Sequence, residues 1–131
     1  MHEYGFFLIP EENACDKVSY FKSIGYRVFN LPEKLVSKDD FFESVRQTLP
    51  LDPPLCTNRS WDALDDALWS GLDSLKENRI LIIWPSANLM KELEPKNFEV
   101  ISCIFGGLPE SLFKSKIHEG VEMKLIIFGL I

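Results

Sequence analysis

Two runs of the chain are almost continuously apolar, "ILIIW" at 80–84 and "EMKLIIFGL" at 122–130. This composition is typical of strands that are covered by helices on both sheet faces, because a strand with one face in solvent alternates apolar and polar residues. Two further runs, "YGFFLI" at 4–9 and "YRVFNL" at 26–31, are rich in aromatic or aliphatic residues. The four runs predict a small sheet of three to four strands inside the fold.

Segments with helical spacing of their apolar residues lie between and after these runs, at 18–24, 38–49, 61–75, 86–93 and 96–108. Ser37 and Ser60 are suitable N-caps for the second and third of them. The "GGLP" stretch at 106–109 interrupts the last pattern, so we expect a separate turn or short helix over 110–120. Alternating strands and helices predict an α/β fold, in which right-handed crossovers and flanking helices surround a mainly parallel sheet.

Length and charge restrict the class of protein. The chain has 131 residues and a formal net charge of −6, so we expect one domain over residues 1–131 that does not bind nucleic acid directly. A basic protein partner suits this charge, because complementary charge speeds encounter. The opening "MHEYGFFLIP" lacks the basic flank of a secretory signal, and no stretch has the ~20 apolar residues of a membrane span. We therefore expect a cytoplasmic protein that does not bind membranes.

The three cysteines, Cys15, Cys56 and Cys103, are odd in number and widely spaced, without a CxxC pair. This spacing does not suit a disulfide framework or a zinc site. It predicts reduced and buried thiols.

The segment "NRSWDALDDALWSGLDSL" at 58–75 carries four Asp and two Trp residues. At 100° per residue, its apolar side chains fall within roughly 80° and predict a core face: Trp61, Leu64, Leu68, Leu72 and Leu75. On the other side, three aspartates cluster within about 40°: Asp62, Asp66 and Asp73. Trp69 adjoins this cluster, and Asp65 lies nearer the core boundary.

The acidic cluster has two interpretations. As a solvated helix face, Asp62 and Asp65 would each gain about 0.3–1 kcal/mol from the positive end of the helix dipole. Asp62 and Asp66, however, form a like-charge pair that costs about 0.2–0.5 kcal/mol, and Lys76 is the first basic residue along the helix. A Trp beside such a face is a frequent interface anchor. Together these features favour a surface that binds a positively charged partner.

The stretch "SWDALDDAL", followed about a dozen residues later by "ILIIW", resembles the barstar family of ribonuclease inhibitors. The residues in register with the family pattern are Trp61, Asp62, Ala63, Leu64, Asp66 and Leu68. Pro54 stands at the place of the family's loop proline, and Trp84 at that of the Trp that ends the next strand. The resemblance covers about 26–131, which leaves 1–25 as an N-terminal β-α addition.

The resemblance implies a barstar-like α/β fold of two or three layers and an inhibitor or immunity protein, not an enzyme. Such proteins block a nuclease active site with an acidic loop and helix, in which Asp66 would mimic a substrate phosphate and Asp62 would be a second contact. The implied partner is a basic ribonuclease or other nuclease toxin, bound 1:1 by a monomer without cofactor or metal. The expected partner-binding residues are Arg59, Ser60, Trp61, Asp62, Asp65, Asp66, Trp69 and Asp73.

The sequence departs from the family pattern at several positions. Ser60 replaces the family's Asn, Asp65 replaces an aromatic residue, and only Glu110 is a candidate, a distant one, for the family's acidic contact on its late helix. The identity of the target therefore stays open.

Two other functions stay open at this point. The first is an interaction or regulatory module of the same fold without a nuclease target. The second is an enzyme that uses the Asp cluster for a metal or Cys103 as a thiol. A concave site that joins Asp66 to His118 or to a thiol would favour the enzyme, whereas a flat or convex acidic face would favour the inhibitor.

Overall fold

The computed structural model describes residues 4–131 and places all four apolar runs in one sheet. The strands are β1 (Gly5–Ile9), β2 (Arg27–Asn30), β3 (Arg79–Trp84) and β4 (Lys124–Leu130). They are all parallel, in the order β1-β4-β3-β2. The predicted parallel sheet is confirmed, and its two most apolar strands, β3 and β4, lie at the centre, where both faces can be covered.

Five helices and one short 3-10 turn (Glu11–Asn13) connect the strands. The helices are α1 (Ala14–Ser23), α2 (Lys38–Thr48), α3 (Trp61–Asp73), α4 (Ala87–Leu93) and α5 (Pro95–Ile117). Both predicted caps are formed: the Ser37 hydroxyl accepts a hydrogen bond from the Asp40 amide at 3.0 Å, and the Ser60 hydroxyl accepts one from Ala63 at 3.1 Å.

Helix α5 runs without a break through Pro109, so the predicted separate element over 110–120 is wrong. The helix buries Phe105, Leu108, Pro109 and Leu112 on its inner face. Burial of each large apolar side chain contributes about 1.5–3 kcal/mol. Together these contributions exceed the cost of about 3 kcal/mol for an interior Pro and about 1 kcal/mol for each Gly.

The helices cover both faces of the sheet, which gives three layers. Successive strand residues point to opposite faces, so Ile80 and Ile82 pack with α2 to α5, whereas Leu81 and Ile83 pack with α1. The larger core lies on the α2–α5 side and contains Trp84, which is fully buried.

The predicted burial of the cysteines is wrong. Cys15, Cys56 and Cys103 are all exposed, and none of them forms a disulfide. Cys103 follows the buried Ile101 by two residues on α5, so it lies about 200° around the helix from that side chain and faces away from the core. No helix among residues 4–131 has the length and apolarity needed to cross a membrane.

The connection between α2 and α3 lies directly on α3. The Asp52 amide donates a hydrogen bond to the Ala67 carbonyl at 3.0 Å. A Cβ atom placed on Gly71 would be 2.1 Å from the Pro50 carbonyl oxygen, so only glycine permits this approach of loop and helix. The chain before α3 is thereby held against the helix.

We expect Gly71→Ala to lower the free energy of unfolding by about 1–3 kcal/mol, because the added methyl group overlaps the Pro50 carbonyl. Gly106→Ala is the matched control, since it lies in helix α5 and a Cβ atom there meets nothing within 4 Å. That change should stabilise the protein by about 0.5–1 kcal/mol through helix propensity. Urea unfolding of both variants measures the difference, and stabilisation by both changes would contradict the close approach.

Candidate functional site

The orientation of α3 is set by its apolar stripe. Leu64, Leu68 and Leu72 are at most 1% exposed and belong to the larger core. Asp62 and Asp66 consequently lie on the solvent side and are exposed, while Asp65 is half-buried at the boundary. The predicted division of this helix into a core face and an acidic face is confirmed for these residues.

The carboxylates of Asp62, Asp65 and Asp66 have no ion-pair partner within the described chain, 4–131. Their mutual repulsion is therefore not offset by an ion pair with any described residue. The pKa of Asp65 is raised above its ordinary value of 3.8, first by burial and then by the charges of Asp66 and Asp62. The three carboxylates form a concentrated negative site at the N-terminal half of α3.

Asp73 and Trp69 have partners within the chain. The Lys116 ammonium lies 3.4 Å from the Asp73 carboxylate, which is two helical turns beyond Asp66. The Trp69 indole N–H donates to the Ser111 hydroxyl at 3.0 Å, and its ring packs partly buried against the core. Both side chains thus join α3 to α5, and the partner contacts predicted for Trp69 and Asp73 stay predictions.

The beginning of α3 is fixed by Lys38 from α2. Its ammonium donates to the Arg59 carbonyl at 2.6 Å and lies 5.3 Å from the centre of the Trp61 ring. Trp61 is half-buried, and its ring is 5.1 Å from that of Phe42. The backbone of Arg59 and Ser60 is therefore held in place, although both residues are exposed.

The loop before α3 is also tied to α2, through Arg46. Its guanidinium donates to the Leu55 carbonyl at 2.9 Å and to the Asn58 side-chain oxygen. The Asn58 amide group in turn donates to Asp39 at 3.1 Å. This network could not be predicted from the sequence, because its members are 9 to 19 residues apart and no local motif joins them.

A groove separates the acidic end of α3 from α5. It consists of two adjoining clefts of about 340 and 390 Å³ that share Asp65, Cys103 and Ile104. Glu99 of α5 lines the first cleft together with Asp62, and Asp66 lines the second. We call Asp62, Asp65, Asp66 and Glu99 the acidic surface.

Glu99 was not identified from the sequence, where Glu110 was the candidate for a late-helix acid. Glu110 lies elsewhere on α5 and pairs with Lys114 at 3.1 Å. The i, i+4 spacing of Glu99 and Cys103 could have indicated the position of Glu99, because it places both residues on the side of α5 away from its core residues.

A comparison with known protein families matches residues 27–126, about three quarters of the chain, to the family described as Barstar (barnase inhibitor). The chain belongs to the barstar family. No curated protein and no solved structure matches the chain. The matched segment begins at β2 and contains the whole acidic surface, whereas β1 and α1 precede it. The family predicted from "SWDALDDAL" is thus confirmed.

The family match and the shape of the groove both bear on the hypothesis that this chain is an enzyme that uses the Asp cluster or Cys103. The groove is concave and joins Asp66 to the Cys103 thiol, the arrangement that this interpretation requires. His118 follows Cys103 by fifteen residues and lies at the end of α5. The two residues are therefore about 22 Å apart along the helix axis, which is too far for a nucleophile–base pair. Within 4–131 no three His, Cys, Asp or Glu residues are grouped to hold a metal. The described residues therefore bring Asp66 and Cys103 together in the groove and keep His118 apart from both.

We expect Asp65→Asn to raise the melting temperature at pH 7. A folded-state pKa above the unfolded value means that ionised Asp65 destabilises the fold at pH values above its folded pKa. Below 3.8 the carboxyl is protonated in both states, so the gain should vanish near pH 3. Thermal unfolding of the variant at the two pH values measures this difference.

Asp73→Asn is the matched control on the same helix. It removes a carboxylate that is paired with Lys116, so we expect it to lower the melting temperature at pH 7 or to leave it unchanged. An equal gain from both substitutions, or a gain from Asp65→Asn that persists at pH 3, would contradict the strained-carboxylate account.

Proposed function

We propose that this chain inhibits a basic ribonuclease toxin by placing the acidic surface in the enzyme's active site. The observation that carries the proposal is that Asp62 and Asp66 are exposed and unpaired within residues 4–131 on a helix whose opposite face is fully buried. A ribonuclease active site must attract phosphate, so its cations suit an unpaired carboxylate.

Asp66 is the residue proposed to occupy the position of a substrate phosphate. It is exposed on the outer face of α3, and it lines the groove with the half-buried Asp65 beside it. A carboxylate that enters an active site loses its water and forms charge-assisted, in part bidentate, hydrogen bonds to Arg side chains. The tethered loop and the capped helix start reduce the ordering cost of binding, since Arg59 and Ser60 already have fixed backbones.

The net charge of the chain bears on the class of partner. The chain carries 20 acidic and 14 basic residues, which favours a basic protein and disfavours direct contact with an RNA backbone. We propose a 1:1 complex between the monomeric inhibitor and a ribonuclease or other nuclease toxin in the cytoplasm of the producing cell. Neither metal nor cofactor has a part in this mechanism.

Asp66→Ala should weaken binding to the ribonuclease much more than Asp73→Ala. Removal of one partner of a buried charge pair costs about 2–5 kcal/mol, or roughly 30-fold to several-thousand-fold in Kd, a range observed in protein interfaces that include barnase with its inhibitor. Asp73 is paired with Lys116 and lies two turns away, so we expect less than about threefold from it. Calorimetric titration with barnase and a panel of small basic ribonucleases gives the constants.

Circular dichroism of each variant should match that of the wild type, because both side chains lie outside the apolar core. If the wild type binds a ribonuclease and the two variants weaken it equally, the position of the site is wrong. If the wild type binds none of the panel, while the fold is intact, the interaction module without a nuclease target becomes the better interpretation.

The association rate should fall as salt rises. Exposed carboxylates steer a basic partner over about 10 Å at 0.1 M salt and about 3 Å at 1 M. Between 0.05 and 0.5 M NaCl we expect the association rate constant to fall by about tenfold or more, with a smaller change in the dissociation rate. Stopped-flow mixing measures both, and a salt-independent association rate would remove the electrostatic part of the proposal.

A further inference from the structure

The face of the sheet opposite the acidic surface is incompletely covered. Within 4–131, α1 is the only helix on this side, and it packs through Ala14, Val18 and Phe21. Helices pack 8–10 Å apart, whereas strands are about 4.8 Å apart, so one helix covers about two of the four strands. The side of the face towards β1 is left open, and Phe7 there is 43% exposed.

A cleft of about 760 Å³ occupies this gap between α1, β1 and β4. Its volume is within the range of about 300–1,000 Å³ found for small-molecule sites. Aromatic rings form much of its wall: the Phe128 ring is 6.3 Å from Phe7 and 5.9 Å from Phe21, which is in turn 5.0 Å from Tyr26. Three of the seven large hydrophobic side chains that are exposed in the described chain face this cleft: Phe7, Tyr20 and Ile24.

The charged residues that line the cleft are all basic. They are Lys17, Arg79 and Lys124, and no Asp or Glu is among the described lining residues. Lys124 is paired with Glu122 at 3.8 Å outside the lining, so Lys17 and Arg79 are the cations that the inference uses. The Arg79 guanidinium donates one hydrogen bond, at 3.0 Å, to the Ile24 carbonyl at the end of α1. Since a guanidinium has five N–H donors, this bond holds Arg79 at the cleft and leaves donors for an anion.

From these observations we infer that the cleft binds a small amphipathic carboxylate, whose apolar body lies against the aromatic wall and whose anionic group lies beside Arg79. The charges argue against a second copy of the chain. A two-fold interface through this cleft would enclose Lys17 and Arg79 of both copies without an acidic side chain among the described lining residues, and unpaired charges buried in an interface are destabilising. An anionic ligand would instead supply a negative charge for the basic residues of the cleft.

This site is independent of the proposed inhibition. The cleft is on the α1 face of the sheet, whereas the acidic surface belongs to the α2–α5 side, and much of its lining precedes residue 27, where the family match begins. Binding at one site can therefore fail without consequence for the other.

Titration of the full chain with decanoate, followed by NMR shifts of the Ile126 and Phe128 amides, tests the inference. We expect saturable 1:1 binding of decanoate and at least tenfold weaker binding of decyltrimethylammonium, which has the same tail and the opposite charge. Arg79→Gln should weaken decanoate binding by about tenfold. Lys17→Gln removes an exposed cation that lies about 10 Å along α1 from Ile24, so its effect should be smaller than that of Arg79→Gln.

Leu93→Ser is the matched control, because Leu93 is 57% exposed but does not line the cleft. It should leave the decanoate affinity unchanged, whereas Phe7→Ser should reduce it. Each of three results would overturn the inference. They are no saturable binding by the wild type, equal affinity for decanoate and decyltrimethylammonium, and equal effects of Leu93→Ser and Phe7→Ser. Sedimentation could also show that the wild type forms a dimer and that Phe7→Ser abolishes it. That result would overturn the inference, because the occupant of the cleft would then be a second copy of the chain.

Discussion

Burial of one leucine stripe determines where the acidic residues of this protein lie. Leu64, Leu68 and Leu72 are packed into the larger core, and burial of each contributes about 1.5–3 kcal/mol. That total is several times the cost of the repulsion between Asp62 and Asp66, which is a few tenths of a kcal/mol. The helix therefore keeps its orientation although its outer face is electrostatically unfavourable. The acidic surface can exist because the opposite face of the same helix stabilises it.

The unfavourable charge interactions of α3 are concentrated in its N-terminal half, which carries the aspartates of the acidic surface. Asp65 has a raised pKa from burial and from its neighbours, and the described residues provide no cation for it. Asp73, further along the helix, is paired with Lys116. Proteins retain unfavourable local charges mainly where function requires them. The contrast between Asp65 and Asp73 on one helix therefore supports a partner that supplies the missing positive charge.

The sheet, the capped helices and the core face of α3 could be predicted from the sequence because each depends on local periodicity. Apolar runs identified the strands, and serine residues identified the starts of α2 and α3. The predicted break near Pro109 was wrong because the buried inner face of α5 outweighs local propensity. The contact of Trp69 with Ser111 and the position of Glu99 depend on how α3 and α5 pack, which no single segment encodes.

The three layers separate two kinds of surface. The segment that matches the barstar family, 27–126, includes the helices on one face of the sheet and the acidic surface. Residues 5–23 add an edge strand and the helix on the other face, and there they form an apolar cleft with basic residues. Because β3 and β4 are packed on both faces, a change on one side alters the other only through a rigid sheet. The acidic surface and the apolar cleft therefore lie on opposite faces of the sheet and have no residue in common.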